Sequence, residues 1–221
     1  MAGCGCGANL RFEGLSAGYR RALWAVIGIN FVMFVVEMTA GRLAGSQALQ
    51  ADSLDFLGDT LTYGLTLAVI GQPLVWRARM ALFKGLSLAA MGLFVLGSTL
   101  YAVLVLETPA APIMGAVGAL ALAANLTSVL LLMRYRNGDA NVRSVWLCSR
   151  NDAVGNLAVI VAAGAVWYAA SPWPDIVVAF LLCFLFLHSA WGIVRQARGE
   201  LAEVRRGPVA AVPGARVATP R

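Results

Sequence analysis

Six apolar runs, each about as long as the roughly 20-residue helix that crosses a bilayer, dominate the sequence and leave little chain for a folded soluble domain. They read as spans at 23–44, 47–70, 80–105, 112–133, 145–170 and 175–195. Turn-forming residues separate them: Gly45-Ser46, Gly71-Gln72-Pro73, Thr108-Pro109, Asn137-Gly138-Asp139 and Ser171-Pro172-Trp173-Pro174. Of the 221 residues 60% are hydrophobic and 13% charged, whereas about a quarter are charged in a soluble domain. The fold class is therefore an all-α polytopic membrane protein with six transmembrane helices. Disorder, a disulfide-stapled secreted fold and a nucleic-acid-binding domain do not fit this composition.

The net charge of +6 is a topology signal. Arg11, Arg20 and Arg21 precede span 1, Arg77, Arg79 and Lys84 lie around the connection of spans 2 and 3, Arg134, Arg136 and Arg143 follow span 4, and six more basic residues lie from the last residue of span 6, Arg195, onward. The opposite connections hold Arg42 alone, so the positive-inside rule places both termini in the cytoplasm. Residues 1–21 then form a cytoplasmic segment carrying Cys4-Gly5-Cys6, residues 22–196 a six-helix membrane domain, and residues 197–221 a short cytoplasmic tail, rich in Gly, Pro, Ala and Arg, expected to be mostly disordered. The tail could also touch anionic lipid. Nothing at the start of the sequence resembles a signal peptide.

Charges inside the spans need a reason, since each costs at least about 2.5–3.5 kcal/mol to insert near the bilayer centre. Asp52, Asp55 and Asp59 of span 2 fall within about 60° of one helix face. Cys148 and Asp152 of span 5 are about 40° apart on one face, a turn apart along the axis. Converged, Asp55, Asp59, Cys148 and Asp152 would supply the four donors of a tetrahedral divalent ion such as zinc. Straight perpendicular helices would leave the two pairs on the order of 10 Å apart in depth, so tilt or a shift of span 5 has to bring them together.

Other residues read differently. Cys148 suits a ligand and a packing residue equally. Glu37 stands before Gly41 and Gly45 on a small-residue stripe and reads as a helix-contact residue. Arg150 points away from Asp152 and can snorkel to the cytoplasmic end. His188 reads as a satisfied packing histidine and Cys183 as core. Asn125 and Asn156 either line a path or bond between helices.

The stretch from Glu37 through Asp52, Asp55 and Asp59 resembles spans 1 and 2 of the cation diffusion facilitators, which export divalent metal in exchange for protons. Asp55 and Asp59 occupy the places of that family's span 2 pair, and the segments opening at Asp152 and Asp175 look like its spans 5 and 6. The resemblance covers about residues 20–200. It implies Asp55, Asp59, Cys148 and Asp152 as the metal site; Asp52, Asn156 and the thiols of Cys4 and Cys6 are read from the residues themselves as secondary metal or pathway candidates. It implies a homodimer, protons and zinc or cadmium as substrates, no prosthetic group, and a place in the bacterial inner membrane.

Two departures qualify the expectation. The first ligand of span 5 is usually His in the family, and a thiolate at Cys148 favours softer ions such as cadmium, zinc or mercury. The resemblance also stops short of the cytoplasmic domain that follows span 6 in most members, so a short member lacking that C-terminal domain is expected. The function read here is proton-coupled export of zinc or cadmium by a secondary transporter rather than an enzyme. A soft-metal uptake protein or channel is the alternative, and an intramembrane aspartyl protease a weaker one.

Overall fold

In the computed structural model, residues 17–68, 74–105, 107–134 and 140–206 are described, and among them every regular element is a helix. The order is α1 (Ala17–Ala44), α2 (Gln47–Ala68), α3 (Leu74–Val105), α4 (Ala111–Met133), α5 (Ala140–Ala169) and α6 (Trp173–Arg206). Five of the helices contain stretches long and apolar enough to cross a membrane, and α2 is the exception. Its three aspartates lower its hydropathy, and the bundle encloses it: α2 packs against α1, α3, α5 and α6. Large apolar side chains such as Phe31, Leu93, Leu104, Val161 and Phe184 instead lie exposed on the outside, as lipid contact requires. Carboxylates collect inside and hydrocarbon outside.

The turn between α1 and α2 follows from local sequence. Gly45 has a positive φ of 69°, Ser46 N donates to Gly41 O at 2.8 Å and Gly45 N to Arg42 O at 3.3 Å. This is the Schellman ending that glycine permits. Ser46 then starts α2, its Oγ accepting from Leu49 N at 3.1 Å. Gly41 closes the crossing, since a Cβ there would meet Gln50 Cγ at 2.9 Å and Gln50 N at 3.0 Å.

Several helices outrun their apolar runs at the end assigned to the cytoplasm: α1 begins at Ala17, α3 at Leu74 and α5 at Ala140. The tail expected to be irregular from residue 197 is helical as far as Arg206, with Ala197 buried. His188 also departs from expectation. It is exposed on α6, its ring stacked on Phe184 at 6.4 Å between centroids, beside an apolar recess lined by Leu96, Phe180 and Trp191. A histidine on a bundle exterior finds aromatic rings rather than core partners. Cys183 is core, as read.

Candidate metal centre

The α2–α5 seam holds the aspartates. Asp59 and Asp152 face each other across it, their carboxyls close enough to interact, which brings the two helices together at one acidic pair. Farther from the cytoplasm, Gly155 lies against the other two acids, its notional Cβ 3.4 Å from Asp52 Oδ1 and 3.9 Å from Asp55 Oδ2. The helices thus meet in antiparallel register, Asp152 on Asp59 and Gly155 on Asp52 and Asp55. This closes the depth gap that straight helices would leave. The register is set by the side chains that meet, and the centres of the apolar runs mispredict it because α5 extends past its apolar stretch to Ala140.

Neighbours hold Asp59 in place. Tyr63, one turn on along α2, donates its OH to Asp59 Oδ2 at 2.5 Å, and Asn30 of α1 donates from Nδ2 to the same oxygen at 3.4 Å. Lys84 of α3 is buried nearby, donating to Thr62 Oγ1, and its charge acts on Asp59. The spacing had grouped Lys84 with loop charges. Instead it lies inside the bundle, because its stem reaches back along α3 to the polar lining of α2.

Two acidic contacts follow from this packing. Facing carboxyls such as Asp59 and Asp152 repel unless a proton or a cation lies between them. Glu37 and Asp52 form a second facing pair, on α1 and α2, with exposures of 0% and 1%. Among the described residues, no donor other than a proton on the acids themselves reaches Glu37 Oε1, Glu37 Oε2 or Asp52 Oδ2. The small-residue contact expected around Glu37 is present at Gly41, but Glu37 itself faces an acid.

The remaining candidates divide as follows. Asn156 is buried on the α5 face that carries Asp152, its Nδ2 without a hydrogen-bond partner among the described residues, and Asn125 is buried in α4. Cys148 belongs to α5 a turn before Asp152, but its side chain, like that of Arg150, lies outside the described residues, as do Cys4 and Cys6. Among the described residues, no three His, Cys, Asp or Glu side chains converge closely enough to hold an ion. The structure therefore presents a carboxyl pair with further donors a turn away, rather than a finished cage. Asn30, Tyr63, Gly155 and Lys84 were not singled out from sequence as site residues. The i+4 step from Asp59 to Tyr63 and the i+3 step from Asp152 to Gly155 are the signals that point to two of them.

The family model of the cation efflux transmembrane domain matches residues 78–202. The chain is similar to the zinc transporter ZitB of Escherichia coli strain K12, 29% identical over 201 residues that cover 83% of this chain and 63% of that protein. It is also similar to the cation efflux system protein CzcD of Alcaligenes sp. strain CT14, 25% identical over 198 residues that cover 84% of this chain and 63% of that protein. The chain thus spans less than two thirds of the length of these relatives.

Proposed function

Because the chain belongs to the cation efflux transmembrane family, we propose that it exports a divalent transition metal, zinc or cadmium, from the cytoplasm in exchange for protons. The observation that carries this reading is the Asp59–Asp152 contact, two acids from different helices meeting inside the bundle. Such a pair alone would also suit an intramembrane aspartyl protease. Family membership supports the transporter reading, since the matched family model is that of a cation efflux transmembrane domain.

In this mechanism a metal ion enters from the cytoplasmic end of the α2–α5 seam and displaces the proton shared by Asp59 and Asp152. Asp55, a turn away on α2, and Cys148, a turn away on α5, complete four donors around it. The ion has to draw these groups together, so some binding energy goes into rearranging the helices. That cost keeps affinity low enough for release. When the bundle opens outward, along the side where Asp52 and Asn156 line the seam, protons compete the metal off the carboxylates. Cys4 and Cys6 would deliver soft ions to the entrance. The thiolate donor biases the site toward cadmium and zinc, and the working unit is a homodimer in the bacterial cytoplasmic membrane.

Inverted vesicles reconstituted with the full chain test this reading. Zinc or cadmium added outside should enter while protons move the other way, and Asp59→Ala should abolish both fluxes without loss of membrane insertion. Wild-type metal uptake by Asp59→Ala would refute the assigned site.

A further inference from the structure

Lys84 lies well inside α3, a helix whose membrane stretch runs from Ala78 to Val105. It is 8% exposed and, among the described residues, the one buried basic side chain. Every other basic side chain whose burial is described is exposed, among them Arg42 over Phe94 at 6.0 Å and Arg79 over Trp76 at 5.8 Å. A buried ammonium costs several kcal/mol unless an anion compensates it. Packing alone would be served by leucine or methionine.

Its surroundings identify the compensating anion. Lys84 Nζ donates to Thr62 Oγ1, and that hydroxyl donates in turn to Gly58 O at 2.6 Å, so both functions of Thr62 are used. A hydroxyl satisfies a hydrogen bond but carries no charge. The charge of Lys84 acts on Asp59, which lies three residues before Thr62 and so on a neighbouring part of the same α2 face. Lys84 is thus held one turn from the carboxyl that also meets Asp152, Tyr63 and Asn30.

We infer that Lys84 is the centre's resident counter-cation: its ammonium, tethered at Thr62, repels an arriving divalent metal and thereby sets how weakly the Asp59–Asp152 pair holds it. The inference rests on the reading of Asp59 as a metal-site residue. Without metal, Lys84 compensates part of the negative charge on α2. With metal bound, two cations face one small group of carboxylates, and the like-charge repulsion raises the energy of the loaded state. A transporter gains from this, because an ion bound too tightly leaves too slowly. Thr62 sets the strength of the effect by anchoring the ammonium at one point on the α2 face beside Asp59. Lys84 is therefore a positioning residue that acts on metal through charge and not as a ligand.

Cadmium titration of the purified full chain in detergent, paired with vesicle transport, tests the inference. Lys84→Met should bind cadmium about tenfold more tightly or better, the gain expected from removing one like charge beside the site. In transport it should lower KM and kcat together, a combination that structural damage does not produce. Lys84→Arg keeps the charge and should stay within about threefold of wild type. Thr62→Val keeps Lys84 but frees it to approach Asp59, so it should weaken binding, the opposite sign to Lys84→Met. Asp59→Asn is the control for the site. If Asp59→Asn loses binding while Lys84→Met binds cadmium at wild-type affinity or weaker, the counter-cation role is overturned and the metal site stands. If Asp59→Asn binds as wild type does, the site assignment falls and the counter-cation role falls with it. Should Lys84→Met fail to fold, Thr62→Val decides: unchanged or tighter binding there also overturns the inference.

Discussion

Asp175 in the first turn of α6 accepts a hydrogen bond from Ser46 Oγ at 2.6 Å, and its carboxylate also takes Gln47 N at 2.8 Å and Ala48 N at 3.1 Å. It therefore caps α2 from another helix. The first N–H groups of a helix have no partner within it, and an anion there is favoured by the helix dipole as well. α2 is thus fixed at its N-terminal end to α6, and the depth of Asp52, Asp55 and Asp59 depends on this clamp.

Removing the clamp should cost stability first. Each charge-assisted bond of this kind contributes about 1.5–3 kcal/mol, so Asp175→Ala should lower the unfolding temperature in detergent markedly and Asp175→Asn less. A thermal shift of the two variants against wild type checks this. Equal melting temperatures for all three would show that α2 is held by packing alone.

Gly155 sets how closely α5 approaches the acids. A methyl group at that position would stand 3.4 Å from Asp52 Oδ1, ordinary contact, while longer side chains would reach into the carboxylates. Gly155→Ala should therefore keep most transport, and Gly155→Leu should lose nearly all of it by separating Asp152 from Asp59. Vesicle uptake of cadmium by the two variants provides the measurement, and equal activity would remove Gly155 from the seam.

Much of this arrangement was legible because it is written locally. Apolar length marked the helices, Gly45-Ser46 marked the first turn, and the spacing of Asp52, Asp55 and Asp59 placed them on one face without reference to any partner. What was not legible depends on which surfaces meet. A basic residue near the end of an apolar run has the same sequence signature whether it snorkels to water or turns inward, so Lys84 was grouped with the loop charges. Glu37 and Gly41 share a stripe, yet only the α1–α2 crossing shows that the glycine makes the contact while the glutamate meets Asp52. The helical continuation to Arg206 has few apolar residues to announce it, since α6 is sustained there by packing on one side, as at Ala197.

The Glu37–Asp52 pair leads to a stability prediction of the unusual sign. Among the described residues, three of its four carboxylate oxygens are buried with no donor but a proton on the acids themselves, and an unsatisfied buried acceptor costs about 1–3 kcal/mol. Glu37→Gln supplies an amide donor of nearly the same shape opposite Asp52, so it should raise the unfolding temperature in detergent. A clear fall would show that a shared proton already joins the two acids.

Cys148 separates this chain from relatives of the family type that carry histidine at the corresponding place, and the prediction follows from donor softness. If the thiolate is a ligand, it holds cadmium better than zinc, whereas imidazole suits zinc well and cadmium less. Cys148→His should keep transport but raise the zinc-to-cadmium ratio of rates, and Cys148→Ala should slow both ions because the site drops to three protein donors. The comparison is internal to one protein, so effects of the variants on expression cancel in the ratio. Wild-type rates and ratio in Cys148→Ala would make the cysteine a packing residue, and the fourth donor would then have to come from Asp52, Asn156 or water.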